Sequence, residues 1–222
     1  MIVVVGQPVY RPLEGSVAVN GFPARVALAA ATHGRVVQLV GKAGEDPDGD
    51  AVVLALARGG VGHVALLRDA GVSTPRAPEA IGGDPDSPAA GGTTATQDEA
   101  SVQFASQRQA LDAADVELAL RYLTDFSVVV LGEAADPEIV RVVAAAAGWA
   151  DARIVLVVPA GTTIPDALPP ETIVFEAPDE DPDGVFAALV GSFAAALDGG
   201  DDPAKAFHAS VEATGWTLAP AD

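Results

Sequence analysis

Cysteine is absent from the 222 residues. Disulfides and thiolate metal sites are thereby excluded. Lysine is nearly absent too, with only Lys42 and Lys205. Twelve basic residues face 31 acidic ones, for a formal net charge of −19. Such a chain lacks the Lys and Arg clusters that nucleic-acid phosphates demand, and an anionic membrane surface would repel it. No apolar run is long enough to span a bilayer. The opening MIVVVGQPVY has no basic segment before its short apolar run. It reads as a first strand and not a signal peptide. The expectation is a soluble cytoplasmic protein that binds neither nucleic acid nor membrane. His33, His63 and His208 share no ligand spacing, so no metal site is expected. No Ser/His/Asp arrangement and no Walker-type glycine loop is present.

Apolar residues are plentiful, at 50%, enough for one domain over residues 1–222 with a sizeable core. Short β-rich runs alternate with Ala-rich helical patterns. Strands are predicted at Ile2–Val5, Val36–Val40, His63–Leu67, Ser101–Ala105, Ser127–Leu131, Arg153–Val158 and Thr172–Phe175. Helices are predicted at Pro23–Ala31, Asp48–Arg58, Ala113–Leu123, Pro137–Ala147, Val185–Leu197 and Pro203–Thr214. Asp112 is placed to cap the third of these. Residues 69–100 form an irregular excursion rich in Gly, Pro, Ser, Thr and Asp. Strand–helix alternation with continuous apolar strands implies an α/β fold with a mainly parallel sheet. Ligands then bind at the carboxyl ends of the strands, so the informative loops are 6–22, 41–47, 132–137, 159–170 and 176–184.

GRVVQLVGKAGEDPDGDAVVLALARGG, at 34–60, is followed by VGHVALL. This stretch resembles the ribokinase-like (PfkB) family of carbohydrate kinases, whose strand ends in G-x-x-G-x-D-x-x-G before a helix. Gly41, Gly44, Asp46 and Gly49 stand at those positions. Upstream, NGFPARVALAAATHG is similar to the family's G-G-x-P-A-N-V-A helix. Downstream, FSVVVLGEAADPEIVRVV and ARIVLVVPAG track its middle βαβ units. GVFAALVGSFAAALDGGDDPAKAFHASVEATGW is similar to the helix pair after the family's G-A-G-D motif. The resemblance runs in order along nearly the whole chain. It implies a three-layer α/β/α fold and ATP-dependent phosphorylation of a sugar or nucleoside hydroxyl. In such enzymes the G-A-G-D aspartate takes the hydroxyl proton, and the adjoining helix N-terminus holds the phosphoryl group.

The chain departs from that pattern at each working part. Asp181, Pro182, Asp183 and Gly184 occupy G-A-G-D, so Gly184 falls at the base position. A shift of one residue would put Asp183 there. Pro182 removes a backbone donor, and Asp179, Glu180 and Asp181 add negative charge where a triphosphate would approach. TIVFEAPDED also resembles a strand that the family places well before G-A-G-D, which implies loss of the intervening nucleotide-pocket strands. The first strand leads into QPVYRPLEG, where Tyr10 and Arg11 stand and the family's sugar-binding aspartate does not. The lid is expected to be reduced or absent. On the sugar side the family's positions hold Asn20, Gly21 and Arg25, while Glu133 matches a family glutamate.

Read as residues alone, the acids of 179–183 are a solvated helix start matched to the helix dipole. A Mg²⁺-nucleotide role and a catalytic base at Asp183 are the competing readings. Asp46 or Asp48 is expected to cap its helix, and Arg25 to pair with an acid such as Glu14 or to bind a small anion. Trp149 and Trp216 read as packing residues. The sequence therefore predicts a shortened, degenerate ribokinase-like protein with little or no phosphotransfer. It would bind a small sugar or nucleoside, or act through self-association as a homo-oligomer. One alternative is an active small kinase using Asp183 as base, Glu133 for the sugar, and ATP with Mg²⁺. The other is an interaction module without a ligand.

Overall fold

A computed structural model describes residues 1–13, 16–77, 111–132, 136–165 and 167–217. In chain order the elements are β1 (Ile2–Val5), β2 (Val9–Leu13), β3 (Ser16–Asn20), α1 (Phe22–Thr32), β4 (Val37–Gly44), α2 (Pro47–Arg58), β5 (Val61–Gly62) and β6 (Leu66–Asp69). Then follow α3 (Ala113–Tyr122), β7 (Val128–Leu131), α4 (Pro137–Ala150), β8 (Arg153–Pro159), β9 (Ile173–Ala177), α5 (Val185–Asp198) and α6 (Pro203–Thr214).

The main sheet runs β5-β4-β1-β7-β8-β9, with β6 paired to the far half of β4, and each of these pairings is parallel. Val4 of the central strand lies between Leu39 and Val130. Side chains alternate across a strand, so the apolar runs split between two faces. Ile2, Val4, Leu39, Val130 and Val157 join α1, α2 and α5 in one core. Val3, Val5, Val40, Leu131 and Leu156 join α3 and α4 in the other. This is the expected three-layer α/β/α architecture with a mainly parallel sheet.

Local sequence explains the elements that carry the site. FPARVALAAAT begins with Pro23 in its first turn, where the missing N–H is harmless, and continues in small apolar residues. α1 lies close against α5. A Cβ on Gly191 would stand 2.7 Å from both the Ala29 Cβ and the Val26 carbonyl, so only glycine permits this approach. An aromatic cluster fills the wide end of the same layer: Phe22 stacks on Phe186 at 5.6 Å, and Phe175 meets Phe193 edge-on at 5.2 Å.

The structure corrects several expectations. QPVYRPLEG and the residues after it form a two-stranded antiparallel hairpin, β2 with β3 and Val9 opposite Asn20, in keeping with a reduced lid, although its two strands were not expected as strands. Each strand of the hairpin is five residues long. In place of the strand expected at His63–Leu67 stand two short ones, β5 ahead of that span and β6 overlapping its last two residues, because β4 continues past Val40 to Gly44 and pairs with each in turn. Gly41 and Gly44 therefore lie in a strand and not in the loop after it. Trp216 packs on Phe186 at 5.2 Å, but Trp149 is 93% exposed on α4 and packs no core. The strand expected at Ser101–Ala105 lies outside the described residues, as does most of the excursion from 78 onward.

Candidate functional site

The helices that follow β1 and β7 lie on opposite faces of the sheet. The carboxyl ends of these neighbouring strands thus flank a topological switch point, where open α/β sheets bind ligands. The starts of α1 and α5 border the same end. Gly21, with φ +86°, precedes α1, and Asn20 closes β3 just before it. Arg25 sits one turn into α1. Gly184, with φ +74°, precedes α5.

The tertiary structure brings Arg25 and the 181–184 loop together across about 156 residues of sequence. Arg25 Nη1 donates to the Asp181 carbonyl at 2.7 Å, and Nη2 to the Pro182 carbonyl at 3.4 Å. The Asp181 carboxylate turns the other way. Its Oδ1 accepts from the Phe186 N–H at 3.1 Å and its Oδ2 from the Ala187 N–H at 3.0 Å. Nη2 of Arg25 is 3.9 Å from that same Oδ2. One side chain thus satisfies two of the orphan donors at the start of α5, and a cation on α1 neutralises it. Arg25 does pair with an acid, but the acid is Asp181; Glu14 lies outside the described residues. Asp183 is exposed at the loop tip, and Pro182 beside it is exposed too. Glu133 lies outside the described residues, so the sugar-side set is represented by Asn20, Gly21 and Arg25 alone.

A cleft of about 230 Å³ opens beside this pair, between the ends of β8 and β9 and the starts of α1 and α5. Phe22, Val157 and Phe186 give it an apolar floor, while Arg25, Asp179 and Asp181 give it polar walls. Among the described residues no group of His, Asp and Glu has the arrangement of a metal site.

The Gly41–Gly49 motif does different work. Asp46 caps α2: its Oδ1 accepts from the Gly49 N–H at 2.7 Å and from Thr74 Oγ1 at 2.7 Å, and its Oδ2 from the Thr74 N–H at 2.8 Å. Burial pushes the Asp46 carboxyl up, but the hydrogen bonds from Thr74 and Gly49 and the charge of Arg68 outweigh it and hold it below its ordinary value. Thr74 Oγ1 also accepts from the Gly44 N–H at 3.0 Å. A Cβ on Gly44 would collide with the Val72 carbonyl, and one on Gly49 with the Gly44 carbonyl. The spacing of the motif is therefore that of a close-packed strand end joined to a capped helix start. Asp46 is the capping residue, while Asp48 pairs with Arg76.

Two participants had no signal in the local sequence. Thr74 reaches Asp46 from 28 residues away. Lys42, in β4, places Nζ 2.6 Å from Asp115, which is also the second member of the capping box at the start of α3. The hydrogen bond and charge of Asp115 raise the Lys42 ammonium above its ordinary value against the opposing effect of burial. This pair ties sheet to helix.

No protein-family model matches the sequence, and no curated protein is detectably similar to it. Solved structures do match. The protein Sa239 aligns with a TM-score of 0.64 at 12% identity, covering 98% of this chain and 94% of the other. Ribokinase of Arabidopsis thaliana, solved with ribose and ATP, aligns with a TM-score of 0.59 at 16% identity over 96% of this chain and 90% of that one. A PfkB protein of Polaromonas sp. JS666 gives 0.59 at 13%, with 96% and 94% covered. Identities this low speak for architecture alone. With the parallel order β5-β4-β1-β7-β8-β9, the two helical layers and these alignments together, the chain has the ribokinase-like fold of the PfkB sugar kinases.

Proposed function

We propose that this chain is a ribokinase-like protein that does not transfer phosphoryl groups, and that it binds a small hydroxyl-rich molecule at the carboxyl ends of β8 and β9. The observation that carries this reading is the Asp181 carboxylate on the Phe186 and Ala187 N–H groups. In a sugar kinase of this fold those donors would receive a phosphate. Here they are already used. A second anion at about 4 Å from Asp181 would be repelled by roughly 1 kcal/mol in water and several times that near a protein surface. Pro182 supplies no donor, and Asp179 stands on the cleft wall. The residues at the start of α5 do not fit the triphosphate of ATP.

The cleft suits a smaller ligand. Its volume of about 230 Å³ falls below the roughly 300–1,000 Å³ of pockets for drug-sized molecules, so a single sugar ring is the better fit. Two carboxylates and a guanidinium can exchange hydrogen bonds with hydroxyls, while the half-buried Phe22 offers apolar surface to a ring face.

An active kinase remains the second reading, because Asp183 is exposed and free to take a proton at the mouth of the loop. Thermal denaturation with ATP or ADP, with and without Mg²⁺, and with a panel of monosaccharides separates the two. The proposal expects no nucleotide shift and a saturable rise with a sugar, since a ligand held only by the folded state stabilises it by mass action. Sugar-dependent release of ADP that Asp183→Asn abolishes would overturn it.

A further inference from the structure

Charge in the cleft at the starts of α1 and α5 is unevenly compensated. Asp179, Glu180, Asp181 and Asp183 crowd into five residues, and Arg25 is the one cation lining the cleft among the described residues. Its guanidinium is already engaged by the carbonyls of Asp181 and Pro182, with Nη2 3.9 Å from the Asp181 carboxylate. Asp181 in turn accepts from the Phe186 and Ala187 N–H groups. These groups balance one another within the protein. Asp179 is left over. It stands on the wall of the cleft, and among the described residues its carboxylate makes no ion pair and no hydrogen bond. The floor of the cleft is apolar, formed by Phe22, Val157 and Phe186. A low-dielectric wall beside charge of one sign concentrates the field in a cleft.

We infer that the ligand of this cleft carries a positive charge: a single hydroxylated ring bearing an ammonium group, that is, an amino sugar, with the ammonium on Asp179. This rests on the proposed function, in which the cleft holds one ring and no phosphoryl group moves. An anionic sugar would meet Asp179 and Asp181 with Coulomb repulsion. A neutral sugar would leave the Asp179 charge uncompensated beside the apolar floor. An ammonium donates to that carboxylate and cancels its charge, and such charge-assisted hydrogen bonds are roughly twice as strong as neutral ones. The rest of the chain, at a net charge of −19, also draws a cation and repels an anion. The volume of about 230 Å³ limits the ligand to about one ring. Asp179 is exposed, so water screens part of the attraction. A preference of about tenfold over the uncharged sugar follows.

Isothermal titration calorimetry on the full chain compares glucosamine, galactosamine and mannosamine with their neutral parents and with their N-acetyl derivatives, which keep the ring and lose the charge. The titrations are run at about pH 6, where amines are protonated and carboxylates ionised. At low ionic strength at least one amino sugar is expected to bind about tenfold or more tighter than its parent and its N-acetyl derivative, and the gap should narrow as salt screens the pair. Asp179→Asn should remove most of that preference and leave the affinity for the neutral parent unchanged. Asp125→Asn removes the same charge from an exposed site just ahead of β7, at the opposite end of the sheet, and should change neither. A neutral sugar that binds as tightly as every amino sugar overturns the inference and leaves the sugar reading standing. So does a preference that survives Asp179→Asn, or one that Asp125→Asn lowers as much. Binding by no sugar of either kind overturns both. ADP release from ATP is measured on the same samples, and it reports failure of the non-kinase reading independently of the charge preference.

Discussion

Asp181→Ala, set against Asp183→Ala, asks what the acidic loop is for. Asp181 accepts two backbone N–H bonds at 3.1 and 3.0 Å and faces Arg25. Loss of a side chain that caps a helix start costs about 0.5–2 kcal/mol, and loss of its charge at the dipole about 0.3–1 kcal/mol. The half-buried position lets water replace part of this, so a net cost of about 2 kcal/mol is expected. For a chain of this size that lowers Tm by about 4–8 °C, and in urea it should appear as a lower midpoint at unchanged slope. Asp183 is exposed, and its truncation should stay within about 0.5 kcal/mol of wild type. A second readout follows from the vacated donors. Inorganic phosphate should stabilise Asp181→Ala and leave the wild type unmoved, because a helix N-terminus with free N–H groups binds anions. The reasoning is refuted if Asp181→Ala is as stable as wild type, if Asp183→Ala costs as much, or if phosphate stabilises both proteins alike.

Thr74→Val removes the hydroxyl that links Asp46 to the Gly44 N–H, leaving a buried donor unsatisfied; a loss of about 1–3 kcal/mol should appear in chemical denaturation. Asp46 has a folded pKa below its unfolded value of about 3.9. Its contribution is therefore complete above that value and is lost as pH falls through the folded pKa. Asp46→Asn should cost stability at neutral pH and flatten the decline below about pH 4 in melts across an acid series. Gly44→Ala forces a Cβ onto the Val72 carbonyl and should destabilise by about 1–3 kcal/mol or more by the same assay. Phe193→Ala empties a fully buried site in α5 and should cost about 3–5 kcal/mol, with Trp149→Ala, exposed on α4, as the near-neutral control.

Much of the fold is legible in one dimension because its signals are local. Runs such as IVVV and VVVL are buried on both faces and need no partner to be recognised. Asp112 and Asp46 cap helices from positions that the sequence points to directly. The hairpin of β2 and β3 was missed because VYRPL and SVAVN give weak strand patterns around a proline, and their pairing is what makes them strands. The division of 61–69 into β5 and β6 was missed because it depends on the length of β4.

The sequence alone determined the layered parallel sheet, the absence of thiolate chemistry, and the collection of acids at the head of α5. Tertiary structure decided what those acids do. PDEDPDG offers four carboxylates within five residues, and composition cannot rank them. The approach of α1 to α5, permitted by Gly191, carries Arg25 to the loop and leaves Asp181 turned onto the helix and Asp183 turned to solvent. Caps are written in neighbouring residues, but the choice among equal acids depends on which one a distant cation and two backbone donors reach.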